Sequence, residues 1–133
     1  MSHRVWLALG AACGFLAVAL GAFGAHGLKG LLEANGQTAN FETGARYLAY
    51  HALALLAVGW FAREQPSRAA TIAGWGFGLG APIFSGTLMA LALTNVKLLG
   101  AITPLGGLGL LVGWFALIVA GLNLPDRGAA PKA

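Results

Sequence analysis

Residues 5–25 and 69–93 contain no Asp, Glu, Lys or Arg, and these two uncharged stretches constrain the fold more than any motif. As a helix the first would be about 31 Å long at ~1.5 Å per residue, matching a ~30 Å hydrocarbon core. Within such a core every backbone N–H and C=O must find its partner in the protein, so a crossing segment is a helix or part of a closed barrel. Only 9% of the residues are charged and 58% are hydrophobic, against roughly one-quarter charged in soluble domains. A surface so poor in charge suits lipid rather than water. A cleaved leader is the poorer reading of 5–25, because the run exceeds the ~7–15 residues of a signal-peptide apolar region.

The expected fold is all-α, a single transmembrane domain over residues 1–133 built as an integral membrane four-helix bundle. Its spans fall at about 5–25, 43–63, 69–93 and 103–124. Between the first two, at about 27–35, Leu28, Leu31 and Leu32 share one helical face away from Lys29 and Glu33, and Asn35-Gly36 closes the segment. That pattern predicts a short interfacial amphipathic helix. Thr38 or Asn40 is the expected cap of the second span, and Pro66 ends it in a tight polar turn. Thr103-Pro104 reads as a cap followed by proline in the first helical turn, and Asn123, Pro125, Asp126, Arg127 and Gly128 end the last span.

Small residues recur at helical spacing. Gly10, Gly14 and Gly21 line the first span, Gly74, Gly78 and Gly80 the third, and Gly109 and Gly113 the fourth. Such faces let backbones approach closely and predict tight helix packing, within the chain or between copies. Pro82 removes a backbone donor inside the third span and predicts a kink, with Ser85 or Thr87 able to satisfy nearby carbonyls.

The eight Lys and Arg residues give a net charge of +4 but form no basic face, so nucleic acid is not an expected partner. Arg4, Arg63, Arg68, Arg127 and Lys132 fall on the side of the termini, against Lys29, Arg46 and Lys97 opposite, which places both termini in the cytoplasm. Trp6, Trp60, Trp75 and Trp114 fall in the half nearer the termini and Tyr47 and Tyr50 in the other, so each interface receives amphipathic rings. Cys13, the single cysteine, reads as apolar filler.

Chemical potential concentrates in the second span and the end of the first: His26, Glu42, Arg46, Tyr47, Tyr50 and His51. Thr43, Tyr47, Tyr50, His51 and Ala54 share a face, and Glu42 with Arg46 has the spacing and order of a helix ion pair. Ionisable groups in a membrane are costly and are candidates for function. A hydrogen-bonded cluster pinning the loop to the first two helices is the plainest role for these residues; a lipid, quinone or other small-molecule site is the next. No metal site is expected, since two histidines fall short of the three or four ligands of zinc, and no pattern calls for a haem or other cofactor. Ser85 has no histidine or carboxylate in its own run, so no catalytic residue is assigned.

Four blocks, Gly21 to Leu28, Thr43 to Leu56, Phe84 to Leu88 and Thr103 to Gly107, together resemble the family of small bacterial inner-membrane proteins of unknown function related to transmembrane protein 256. Many relatives carry a polar residue where this chain has Leu48. The resemblance implies a multi-pass protein of the bacterial inner membrane with no established activity, and it carries over no catalytic residue. The expected role is therefore a non-enzymatic structural or accessory component, packing through glycine faces as a homo-oligomer or on a membrane-protein partner. The alternative is a ligand-binding or transport protein using the His/Tyr/Arg cluster near the non-cytoplasmic interface.

Overall fold

A computed structural model describes residues 2–124, all of it helix and connecting turn. Five helices follow one another: α1 (His3–Ala25), α2 (Lys29–Ala34), α3 (Thr38–Glu64), α4 (Arg68–Thr94) and α5 (Leu98–Leu122). Of these α1, α4 and α5 are long and apolar enough to cross a membrane. α3 is as long as α4 but is not among them, because Arg46, Tyr47, Tyr50 and His51 interrupt its apolar sequence.

The long helices pack in chain order: α1 on α3, α3 on α4, α4 on α5. Their central residues are Gly14, His51, Ala81 and Leu110. A Cβ at Gly14 would lie 3.8 Å from that of Ala52, one at Gly44 3.0 Å from the Ser85 carbonyl, and one at Gly80 2.8 Å from the Leu110 nitrogen. These contacts hold the four centres level to within about one turn.

Glycine sets the spacing. A Cβ at Gly76 would stand 2.7 Å from the Gly113 Cα, and one at Gly113 2.6 Å from the Phe77 ring, so α4 and α5 meet almost backbone to backbone. A Cβ at Gly10 would lie 2.9 Å from the Ala52 carbonyl and one at Gly109 3.2 Å from the Gly80 Cα, one at Gly74 would strike the Trp6 indole, and one at Gly78 would make an ordinary 3.5 Å contact with Trp6. Gly21 has open space where its Cβ would be. Trp6 is 1% exposed and meets Trp75 edge-on, so it is a core ring rather than an interface anchor. Trp60 and Trp75 are exposed, and Cys13 is buried in the core.

Several boundaries differ from the expected ones. α3 starts at Thr38 with Gln37 before it, and no side chain caps it. α5 starts at Leu98, so Thr103 and Pro104 are internal. Thr103 is not a cap: with Thr87 donating within its own helix, the Thr103 hydroxyl donates to Thr87 Oγ1 at 2.8 Å, nearer than the Leu99 carbonyl at 3.2 Å, and so ties α5 to α4. Pro82 lies inside a continuous α4 and leaves the Gly78 carbonyl without its helical donor. Thr87 bonds the Ile83 and Phe84 carbonyls instead, and Ser85 Oγ, buried, has no partner among the described residues. The expected end of the last span at Pro125, Asp126, Arg127 and Gly128, and the charge of Lys132, lie outside the described residues.

α2 ends on Gly36, whose φ of +64° suits glycine, with Gln37 N–H bonding the Leu32 carbonyl. Leu32 is its buried residue, packed with Phe41, Met89 and Ala92. Asn35 then donates its amide to the Ala92 and Leu93 carbonyls at 2.9 and 3.3 Å, satisfying acceptors that the end of α4 leaves open. Gln37 reaches Asn95 Oδ1 at 3.2 Å. Asn35→Ala should destabilise the protein by about 1 kcal/mol, and amide hydrogen exchange should rise in the last turn of α4 while that of α1 stays unchanged.

Candidate functional site

Of the six residues expected to form one polar cluster, the five on α3 divide between two of its sides. His51 sits about 140° around the helix from Arg46 at ~100° per residue, so the two cannot share a face. Glu42 and Arg46 line a recess toward α1, while Tyr47, Tyr50 and His51 line a larger cleft toward α4 and α5. His26 lies exposed at the end of α1 and lines neither, although its neighbour Ala25 lines the recess. The expected Glu42–Arg46 ion pair is not formed; among the described residues the ion pairs are Lys29–Glu33 and Arg63–Glu64, each at 3.9 Å.

His51 is 4% exposed at the centre of α3. Trp114 Nε1–H donates to its Nε2 at 3.1 Å, and its Nδ1 lies 2.7 Å from the Tyr47 carbonyl. An indole N–H can only donate and a carbonyl can only accept, so the ring is the neutral tautomer with its proton on Nδ1. Both nitrogens are therefore engaged. A metal or haem iron at His51 would have to displace the Trp114 bond, and among the described residues no group of three His, Cys, Asp or Glu side chains comes together.

Around that bond stands a frame of rings. Tyr47 stacks on Phe84 with centroids 4.7 Å apart, His51 lies 5.6 Å from Phe77 and 6.0 Å from Trp114, and Phe77 meets Trp114 edge-on at 5.0 Å. α3 and α5 both pack on α4, and between them, over Phe84, is a cleft of about 750 Å³. Its rim residues Tyr50, Leu108 and Leu111 are exposed, so it opens at the side of the helices rather than at their ends. The size and mostly apolar lining are those of a small-molecule site with few polar groups. Tyr47 and Tyr50 were legible as residues of this face. Trp114, Phe84 and Phe77 were not singled out for it, because a contact between positions 51 and 114 leaves no mark in local periodicity.

The family described as protein of unknown function (DUF423) matches residues 20–107. The UPF0382 membrane protein YwdK of Bacillus subtilis is 42% identical over 121 residues, covering 90% of this chain and 98% of its own. A UPF0382 membrane protein of Staphylococcus haemolyticus is 42% identical over 117 residues, 88% of this chain and 94% of its own. The UPF0382 inner membrane protein YgdD of Escherichia coli K12 is 35% identical over 130 residues, 98% of each chain. No solved structure matches.

Proposed function

Since this chain belongs to the DUF423 family, the UPF0382 membrane proteins, we propose that it is a non-catalytic inner-membrane protein that holds a lipid-soluble molecule in the cleft between α3 and α5. The carrying observation is the ring-framed cleft itself, about 750 Å³ in volume and placed beside the centre of α3. Stacked Tyr47 and Phe84 suit a flat ring or an unsaturated chain, and exposed Leu108 and Leu111 suit an apolar tail. In this reading α3 is the fourth span. Support comes from the level centres of the four long helices and from the burial of α3 between α1 and α4. α2 lies at the interface opposite the chain ends, and the Lys and Arg bias puts both termini in the cytoplasm.

Leu111→Trp, a change at an exposed rim position, should fill the cleft without disturbing the helices. Wild-type protein purified in mild detergent and extracted with organic solvent should release a lipid-soluble compound at near one per chain. The variant should release several-fold less. Equal yields from the two would end the proposal.

The accessory reading draws on a different observation, the glycine contacts. Those on α4 and α5 are filled within the protomer, so a second copy or a partner would meet α1 near Gly21, the predicted packing glycine with open space beside it. An intact wild-type protein that releases no compound would favour it.

A further inference from the structure

The recess on the other side of α3 has a different chemistry. About 310 Å³ in volume, it lies between α1 and α3 beneath Leu32 of α2, and Glu42 and Arg46 line it together. Neither is paired with a charged residue among the described residues, although they stand one turn apart on the same helix. An arginine several ångströms inside a membrane surface needs a partner, and where the protein supplies none a membrane component can. The room exists because α1 is small here: Gly21 has no atom within 4 Å of its would-be Cβ, and Gly24 lies flush on Phe41.

We infer that this recess binds the headgroup of an amine-bearing zwitterionic phospholipid, its phosphodiester on Arg46 and its ammonium on Glu42. The order of groups along α3 carries the assignment. At ~1.5 Å per residue, Glu42 lies about 6 Å outward of Arg46, and Leu53 on the same face lies about 10 Å inward. Leu53 is 67% exposed. From the membrane centre outward the stripe thus reads apolar, cationic, anionic. A phospholipid with a terminal amine reads tail, phosphate, ammonium in the same direction. Arginine side chains tilt toward the helix N-terminus, which brings the Arg46 guanidinium closer to the phosphate level. The guanidinium fork matches a phosphodiester, and the exposed Glu42 carboxylate repels a headgroup that has only negative charge.

The inference shares with the proposed function the upright placement of α3, but not the cleft. Its test is native mass spectrometry of the full-length protein in mild detergent, loaded with equal phosphatidylethanolamine and phosphatidylglycerol of identical chains. Wild type should retain the ethanolamine lipid by about tenfold over the glycerol lipid, the weight of one charge-assisted contact. Glu42→Gln should bring the ratio near one with lipid still bound, and Arg46→Gln should lose both lipids. Glu42 is exposed, so its variant decides the matter even if Arg46→Gln fails to fold. Equal retention by wild type, or a ratio unmoved by Glu42→Gln, would overturn the assignment. Soluble O-phosphoethanolamine in excess should leave the lipid in place; complete displacement would make the ligand a soluble phosphoester and refute the lipid. Leu111→Trp should not move the ratio, which separates this result from the fate of the cleft.

Discussion

Leucine in place of Gly80 is expected to destabilise the protein by about 3 kcal/mol or more. The reason is what the new side chain would strike. Even a bare Cβ there would stand 2.8 Å from the Leu110 nitrogen and 3.0 Å from the Gly106 carbonyl. A flexible side chain can swing away; backbone inside a helix can yield only if the whole rod moves. α5 packs on α4, so moving it also opens the Phe77–Gly113 contact and the Thr87–Thr103 bond. Gly21→Ala is the matched control. With nothing near, alanine should gain up to about 0.5–1 kcal/mol from its lower backbone entropy in a helix. Unfolding in a detergent titration, followed by circular dichroism, should separate the two variants by well over the error of the method. Similar midpoints would mean that the glycine contacts do not hold α4 and α5 together.

Breaking the His51–Trp114 bond should produce the next largest effect. His51→Phe keeps a ring of similar size and leaves the indole N–H without its acceptor; Trp114→Phe leaves Nε2 without its donor. Each orphaned group away from water should cost about 1–3 kcal/mol. The double variant should cost less than the sum, because neither group is then left over. Hydrogen bonds between membrane helices couple by about 0.6 kcal/mol on average and reach about 1.7, and a bond framed by Phe77 and Tyr47 should fall in the upper half of that range. His51→Gln, which can still accept, should restore part of the loss. Strict additivity in the cycle would show that the two side chains act independently, and the α3–α5 tie would then have no energetic content.

The long uncharged runs were enough to locate α1, α4 and most of α5, because lipid leaves the backbone few alternatives. Pro82 was legible as an internal proline for the same reason. Thr103-Pro104 misled, since the pair has the chemistry of a helix start, yet the chain turns at Asn95, in the left-handed region with φ of 57°, and resumes helix at Leu98. Thr103 was needed to meet Thr87, a partner outside its own run. The candidate site was legible in part. Period and composition marked Tyr47, Tyr50 and His51 as one face of α3, but joining them to Glu42, Arg46 and His26 treated polarity as proximity. Rotation about the helix axis already separates positions 46 and 51. What periodicity could not supply was the far wall, Phe84 and Trp114, brought up by helices that follow much later in the chain.

The order of packing, α1 on α3, α3 on α4 and α4 on α5, makes this chain two hairpin-like halves with a single seam between them. The connection across the seam is the short turn through Gln65, Pro66 and Ser67, where Ser67 caps α4 by accepting from the Ala70 N–H at 3.1 Å. Each half is thus closed by its own helix pair, α1 with α3 and α4 with α5, and the two meet sideways along α3 and α4. The cleft, whose walls come one from each half, exists only once that meeting is complete.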